Sequence, residues 1–247
     1  WQGSSISAGK TPIEWRVFAK DGNKVLLISE KALDCKLYND ELIATTWEQC
    51  TLRKWLNNDF LNNAFSAEEK QAIQSTYVTA DRNPEFSTNP GNSTTDKVFL
   101  LSIDEAEKYF RSDKDRKCVP TGFAKANGSW TIDSYTKNGI PTCWWWLRSP
   151  GYNQDFAAFV VHDGRVDCFG DIVNCGHVCV RPALWIDLSM YESDNTTDNA
   201  KSAASISNEK VSTESAKSAS NGGSSRQVSQ NAKEKNIIKF GSYWQGE

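Results

Sequence analysis

From Cys143 to Ile186 the chain reads CWWWLRSPGYNQDFAAFVVHDGRVDCFGDIVNCGHVCVRPALWI, and this stretch decides the fold. Trp144, Trp145, Trp146 and Leu147 form an apolar run closed by Pro150 and Gly151. Residues 156–162 and 165–169 flank Asp163-Gly164, a hairpin signal. Residues 178–186 read as a last strand, in which Pro182 lacks the amide a ladder needs and implies an edge or a bulge. The spacing predicts an antiparallel β meander. The three tryptophans read as core, with Trp145 facing opposite to its neighbours by strand alternation. Arg148 and Arg181, set inside apolar motifs, call for internal carboxylate partners.

Working back from the meander, residues 13–20 and 24–30 read as two strands turned at Asp21-Gly22. Three capping boxes follow: Thr46 with Gln49, Ser66 with Glu69, and Ser102 with Glu105. The first precedes Leu52, Trp55, Leu56 and Phe60 at helical spacing. Pro120 and Gly128 bracket a fourth helix. Residues 81–96 read as a long polar loop joining elements. Helices followed by a meander make the class α+β.

Working forward, residues 189–235 are rich in Ser, Ala, Asn and Lys, a composition unable to bury enough apolar surface to order itself. This stretch is expected to be a disordered linker, spanning roughly 35–40 Å as a flexible coil. After it, residues 237–243 read as a strand, and Trp244-Gln245-Gly246 repeats Trp1-Gln2-Gly3, 243 positions earlier. Self-similarity at a fixed period marks an array. The chain is therefore expected to be one period of a repeat: domain 1–188, linker 189–235, and 236–247 as the first strand of the next copy. It opens on Trp1, so it is read as a fragment.

The net charge is -3 and no basic stripe is visible, which argues against a nucleic-acid partner. No apolar run approaches the roughly 20 residues a membrane-spanning helix needs. The seven cysteines include no CxxC pair. They read first as small buried hydrophobes, with one or two disulfides as the alternative.

Trp15-Arg16-Val17 before a hairpin, the Trp144–Gly151 motif and Val180-Arg181-Pro182-Ala183-Leu184-Trp185-Ile186 together resemble a bacterial domain-of-unknown-function family, the 6273 type. That family is similar to the C-type-lectin and formylglycine-generating-enzyme (sulfatase-modifying-factor-like) fold. The resemblance implies a C-type-lectin-like domain and, because family members begin with a strand like residues 240–243, that Trp1 follows a missing first strand. Residues 237–243 would then hang free or dock back into its place. Some proteins of this fold are displayed targets of diversity-generating retroelements.

Residues 155–180 hold both histidines and three of the seven cysteines, but no Lys, Glu, Gln, Met or Trp. Every residue type in the window belongs to the set that pyrimidine-ending codons can encode, the set that adenine-directed mutagenesis of Asn codons generates. The expected ligand-binding residues are Tyr152, Asn153, Asp155, His162, Arg165, Asp167, Phe169, Asp171, Asn174 and His177, presented on a fixed meander. The expected function is a non-catalytic recognition module for a protein or glycan, extracellular or at the cell surface, with neighbouring repeats as partners. No cofactor and no catalytic residue is implied. Two other readings stand beside it. One is a spacer repeat with no ligand. The other is a formylglycine-generating-like copper oxidase using Cys175 and Cys179. A zinc set of Cys168, Cys175, His177 and Cys179 has no standard spacing. Asn83-Pro84-Glu85 reverses the order a calcium-dependent lectin triplet would need.

Overall fold

The computed structural model describes residues 9–192 and 237–246. The mixed α+β class holds. β1 (Thr11–Asp21) and β2 (Lys24–Ser29) form the first hairpin. Asp21 faces Lys24 and Gly22 has φ +58, so the turn pair is Gly22-Asn23, one residue beyond the expected position. Glycine takes the left-handed corner because it lacks a Cβ. β3 (Asp34–Cys35) comes next.

α1 (Thr51–Trp55) continues through a π-helical stretch, Leu56–Phe60, into α2 (Leu61–Ala64), burying Leu52, Leu56 and Phe60. Its N-cap is Cys50, whose Sγ accepts from the Arg53 amide at 3.4 Å. The Thr46–Gln49 box therefore does not open this helix. The Gln49 and Cys50 amides donate to the Thr46 carbonyl and close a separate turn ahead of it. The other two boxes form as predicted, at α3 (Ala67–Ala72) and α4 (Ile103–Tyr109). Between them lie β4 (Thr76–Val78) and β5 (Thr94–Asp96). α5 (Asp113–Arg116) was not anticipated, whereas α6 (Gly122–Ala126) falls within the Pro120–Gly128 bracket.

The strands after α6 are β6 (Thr131–Lys137), β7 (Ile140–Cys143), β8 (Trp145–Pro150), β9 (Phe156–Val160), β10 (Val166–Ile172), β11 (Cys179–Val180) and β12 (Ala183–Asp187). α7 (Leu188–Glu192) occupies the first residues of the expected linker; residues 193–235 lie outside the described residues, as does the Trp1-Gln2-Gly3 match. β13 (Ile237–Tyr243) closes the order.

Two sheets carry the molecule. The four-stranded sheet has the order β12-β2-β1-β13, and the five-stranded sheet β10-β9-β8-β11-β3. The expected last strand is thus two strands, one in each sheet. The break falls at Arg181-Pro182, where proline ends one ladder and the chain crosses to the other. Of the two outcomes left open for residues 237–243, the structure shows docking: β13 runs antiparallel to β1. Trp15, Trp145, Trp146, Leu27, Ile28 and Phe60 are all buried in one hydrophobic core. Each such side chain adds about 1.5–3 kcal/mol of burial. Among the described residues no helix is long and apolar enough to cross a membrane.

Candidate functional site: an aromatic edge on the meander

The meander is irregular where it matters. The β8–β9 register shifts between Trp146 and Pro150, and the β9–β10 register between Asp167 and Asp171. Into the gap goes a direct contact between Gly151 and the Phe169-Gly170 backbone. The Tyr152 amide donates to the Phe169 carbonyl at 2.8 Å. A Cβ on Gly170, whose φ is +83, would lie 2.5 Å from the Ala157 oxygen, and one on Gly151 2.5 Å from the Phe169 oxygen. Only two glycines allow this approach.

The approach stacks Tyr152 on Phe169, with ring centroids 4.0 Å apart and planes at 14°. Both rings face solvent, Phe169 at 50% and Tyr152 at 39% exposure. Phe156 and Phe86 meet the pair edge-on, at 4.6 Å from Tyr152 and 6.1 Å from Phe169 respectively. Phe86 comes from residues 81–96, read from sequence as a plain polar connector. It is instead bound to the meander. Asn83 Nδ2 donates to the Pro150 and Cys168 carbonyls at 2.8 and 2.7 Å, and Thr88 Oγ1 donates to the Gly151 carbonyl at 2.8 Å. Asn83 Oδ1 accepts from the Glu85 amide at 2.9 Å and turns Phe86 inward. Phe86 is the only aromatic residue in an otherwise polar stretch, and that was the signal available.

Beside the aromatic group, Thr45, Glu48, Gln49, Asn89, Asn92 and Gln154 line an open cavity of about 370 Å³. Gln154 Nε2 donates to the Thr45 and Asn89 carbonyls, fixing the rim. The cavity offers amides, hydroxyls and the Glu48 carboxylate.

The ten expected residues do not form one patch. Tyr152, Asn153 and Phe169 share the aromatic edge. Asp167 supports it from behind, its Oδ1 accepting from the Gly170 amide at 3.1 Å. Asp155, Asp171 and Asn174 surround the next turn, where the Val173 amide donates to the Asp155 carbonyl at 2.9 Å. Among the described residues, Asp155 Oδ1 and Asn174 Oδ1 are buried acceptors with no protein donor. Arg165 lies exposed at the β9–β10 turn, held by Asp163 at 2.8 Å.

His162 and His177 belong to a third region, around Trp130. His177 is exposed, with its Nδ1 3.3 Å from the Gly128 carbonyl. His162 is buried, which corrects its place among displayed side chains. Trp144 Nε1 donates to its Nδ1 at 2.6 Å, and Trp130, Tyr135 and Trp144 surround the ring. Burial pushes its pKa below the ordinary imidazole value, so it is neutral at pH 7.

The cysteine donors of the metal readings go separate ways. The Cys175 thiol meets Asp171, whereas Cys179 meets Cys35, Cys143 and Ser129. No group of three or more His, Cys, Asp or Glu among the described residues is arranged to hold a metal ion. The residues present do not fit a copper centre of the formylglycine-generating type.

No curated protein and no solved structure matches the chain. The family model described as Domain of unknown function (DUF6273) matches residues 22–188, from the turn after β1 into the start of α7 and across every candidate site residue; the chain belongs to this family.

Proposed function

We propose that this chain is a non-catalytic ligand-recognition module with a C-type-lectin-like fold, repeated along a bacterial surface or secreted protein. It binds a protein or glycan through the meander edge. The observation that carries this reading is the stacked Phe169–Tyr152 pair, exposed yet held rigid by backbone contacts at Gly151 and Gly170. Large aromatics left in water on a fixed frame are the usual anchors of recognition, because little side-chain entropy remains to be lost on binding. Asn153 stands beside the anchor, Asp167 holds its backbone, and Asp155, Asp171 and Asn174 add polar groups at the next turn, while Arg165 and His177 lie apart from it. His162 supports the frame from inside.

The test uses immobilised mucin glycoprotein and a printed glycan array. Wild-type chain should bind a defined subset, and Phe169→Ala and Tyr152→Ala should each weaken binding roughly tenfold or more without lowering the melting temperature. Lys20→Ala, on the first hairpin, should leave binding unchanged. Equal binding by the aromatic variants would overturn the role of this edge, and no binding by any chain, mutated or intact, would support the spacer reading.

A further inference from the structure

Four of the seven cysteines stand in one line through the core. Cys35 on β3 and Cys179 on β11 are opposed across antiparallel strands. The Lys36 amide donates to the Val178 carbonyl at 3.4 Å, which makes the Cys35–Cys179 pair the non-hydrogen-bonded kind. Such pairs bring Cα atoms to about 4.5 Å, with side chains at their nearest. That spacing lies within the range from which a disulfide closes, roughly 4.4–6.8 Å. The two thiols interact across the pair. The Cys179 thiol also meets Cys143, and Cys143 meets Cys118, its partner across an antiparallel bridge. The order in space is Cys35, Cys179, Cys143, Cys118.

One end of this line comes near the surface: Cys35 is buried, at 6% exposure, but stands at the wall of a cavity. Cys118, Cys143 and Cys179 are fully buried. Cys35 lines an open cavity of about 730 Å³ with Gly176, Asn127, Lys36 and Trp55, and its thiol donates to the Gly176 carbonyl at 3.2 Å. Burial as small hydrophobes accounts for each cysteine singly. It does not account for four thiols in consecutive contact, opening at one end.

We propose that Cys35, Cys179, Cys143 and Cys118 form a thiol relay that a low-molecular-weight disulfide oxidises through Cys35. The Cys35 sulfur attacks the oxidant, forming a mixed disulfide and releasing one small thiol, which carries off the proton. Cys179 attacks the Cys35 sulfur, closing Cys35–Cys179 and expelling the second small thiol. Cys143 then attacks Cys179 and returns Cys35 to a thiol, and Cys118 attacks Cys143 and frees Cys179. A second oxidant molecule closes Cys35–Cys179 again. Four protein thiols and two small disulfides thus give two protein disulfides and four small thiols. Exchange of this kind needs contact between successive sulfurs, access at the first and a thiolate for each attack. The interaction with Cys179 and burial push the Cys35 thiol up, so its entry step sets the pace of the relay. The relay goes beyond the recognition reading and does not depend on it.

The experiment incubates the whole folded chain with oxidised glutathione, quenches in acid, alkylates free thiols and maps linked peptides by mass spectrometry. The expected time course is a Cys35–glutathione adduct and Cys35–Cys179 first, then Cys118–Cys143, all reversed by dithiothreitol. In Cys35→Ser, formation of Cys118–Cys143 should slow roughly tenfold or more, because its entry sulfur is gone. Cys50→Ser, outside the line, should follow wild type. If Cys35→Ser does not fold, the order of appearance in wild type decides. The proposal is overturned if Cys118–Cys143 appears first or is equally fast in Cys35→Ser, or if the four thiols stay free under excess oxidant.

Discussion

Glu30, just beyond β2, is the residue on which most charge converges. Arg16 Nε donates to it at 2.8 Å and Lys137 Nζ at 2.9 Å. Burial alone would raise its pKa, but Arg181, Arg16 and Lys137 outweigh burial and hold the carboxyl at about 2. The unfolded carboxyl titrates near 4.5. Its stabilisation is therefore fully present above that value and is lost as pH falls through about 2, a difference worth about 3 kcal/mol. Glu30→Gln should cost a similar amount at pH 7 in urea denaturation, because it strands buried cations. His162 has the opposite chemistry and the same sign. Its folded pKa is depressed by burial, so its contribution is present above the unfolded value of 6.5 and fades as pH falls below it. The melting temperature should drop between pH 7 and about 5, and His162→Gln should flatten that slope; an unchanged slope would remove His162 as its source. The two motif arginines show how far sequence reaches at this scale. Arg148 has the carboxylate partners expected of it, Asp81 at 2.9 Å and Glu105. Arg181 donates to the Ser29 carbonyl at 2.8 Å and lies over the Phe110 and Trp145 rings. An apolar setting demands that a guanidinium be satisfied, but carbonyls and ring faces satisfy it as carboxylates do.

At the scale of elements, what could be read was whatever is local. The Ser66 and Ser102 boxes are closed within four residues, and both formed. Ser102 is fully buried and caps α4, whose Glu105 also binds Arg148, so Ser102→Ala should cost about 1 kcal/mol in stability. A calorimetric scan showing no loss would mean that α4 is held by packing alone. The Thr46–Gln49 box has the same pattern but lost to Cys50, because α1 must start where Leu52 and Leu56 can both face the core. The β6–β7 hairpin was overlooked although Asn138 and Gly139, at φ 54 and 78, are the pair such a turn prefers. The polar character of residues 131–137 hid it, since its strand is mostly exposed and lacks the alternation that marks a half-buried one. The aromatic edge was half visible. Phe169 lies in the window singled out by composition and Tyr152 just ahead of it, but the register shift that stacks them breaks the strand period, and the loop that brings Phe86 is tied on by contacts from 63 to 85 residues away, which leave no periodic trace.

For the whole molecule, the pairing of chain ends is what periodicity does not encode. β12 joins β2, β11 joins β3, and β13 joins β1, each across more than a hundred residues. A strand pattern announces a strand and is silent about its partner. β13 shows how much rests on such a partner. Phe240 and Tyr243 are buried, Trp15 Nε1 donates to the Phe240 carbonyl at 2.6 Å, and Tyr243 donates to Asp34 at 3.0 Å. Gly241, at φ +65, lies where a Cβ would be 2.5 Å from the Phe65 ring. Without β13, Trp15 and Phe65 would face water and the outer ladder of β1 would be unpaired. Losing two buried aromatics alone costs about 3–5 kcal/mol each, comparable to the net stability of a domain. A chain ending at Glu192 should therefore lose its near-ultraviolet circular dichroism and bind a hydrophobic dye. Adding a synthetic peptide of residues 236–247 should restore both signals, and the same peptide with Gly241→Val, which places a branched side chain against Phe65, should not. If the shortened chain melts cooperatively at the temperature of the full chain, β13 is an appendage to the sheet and not one of its supports.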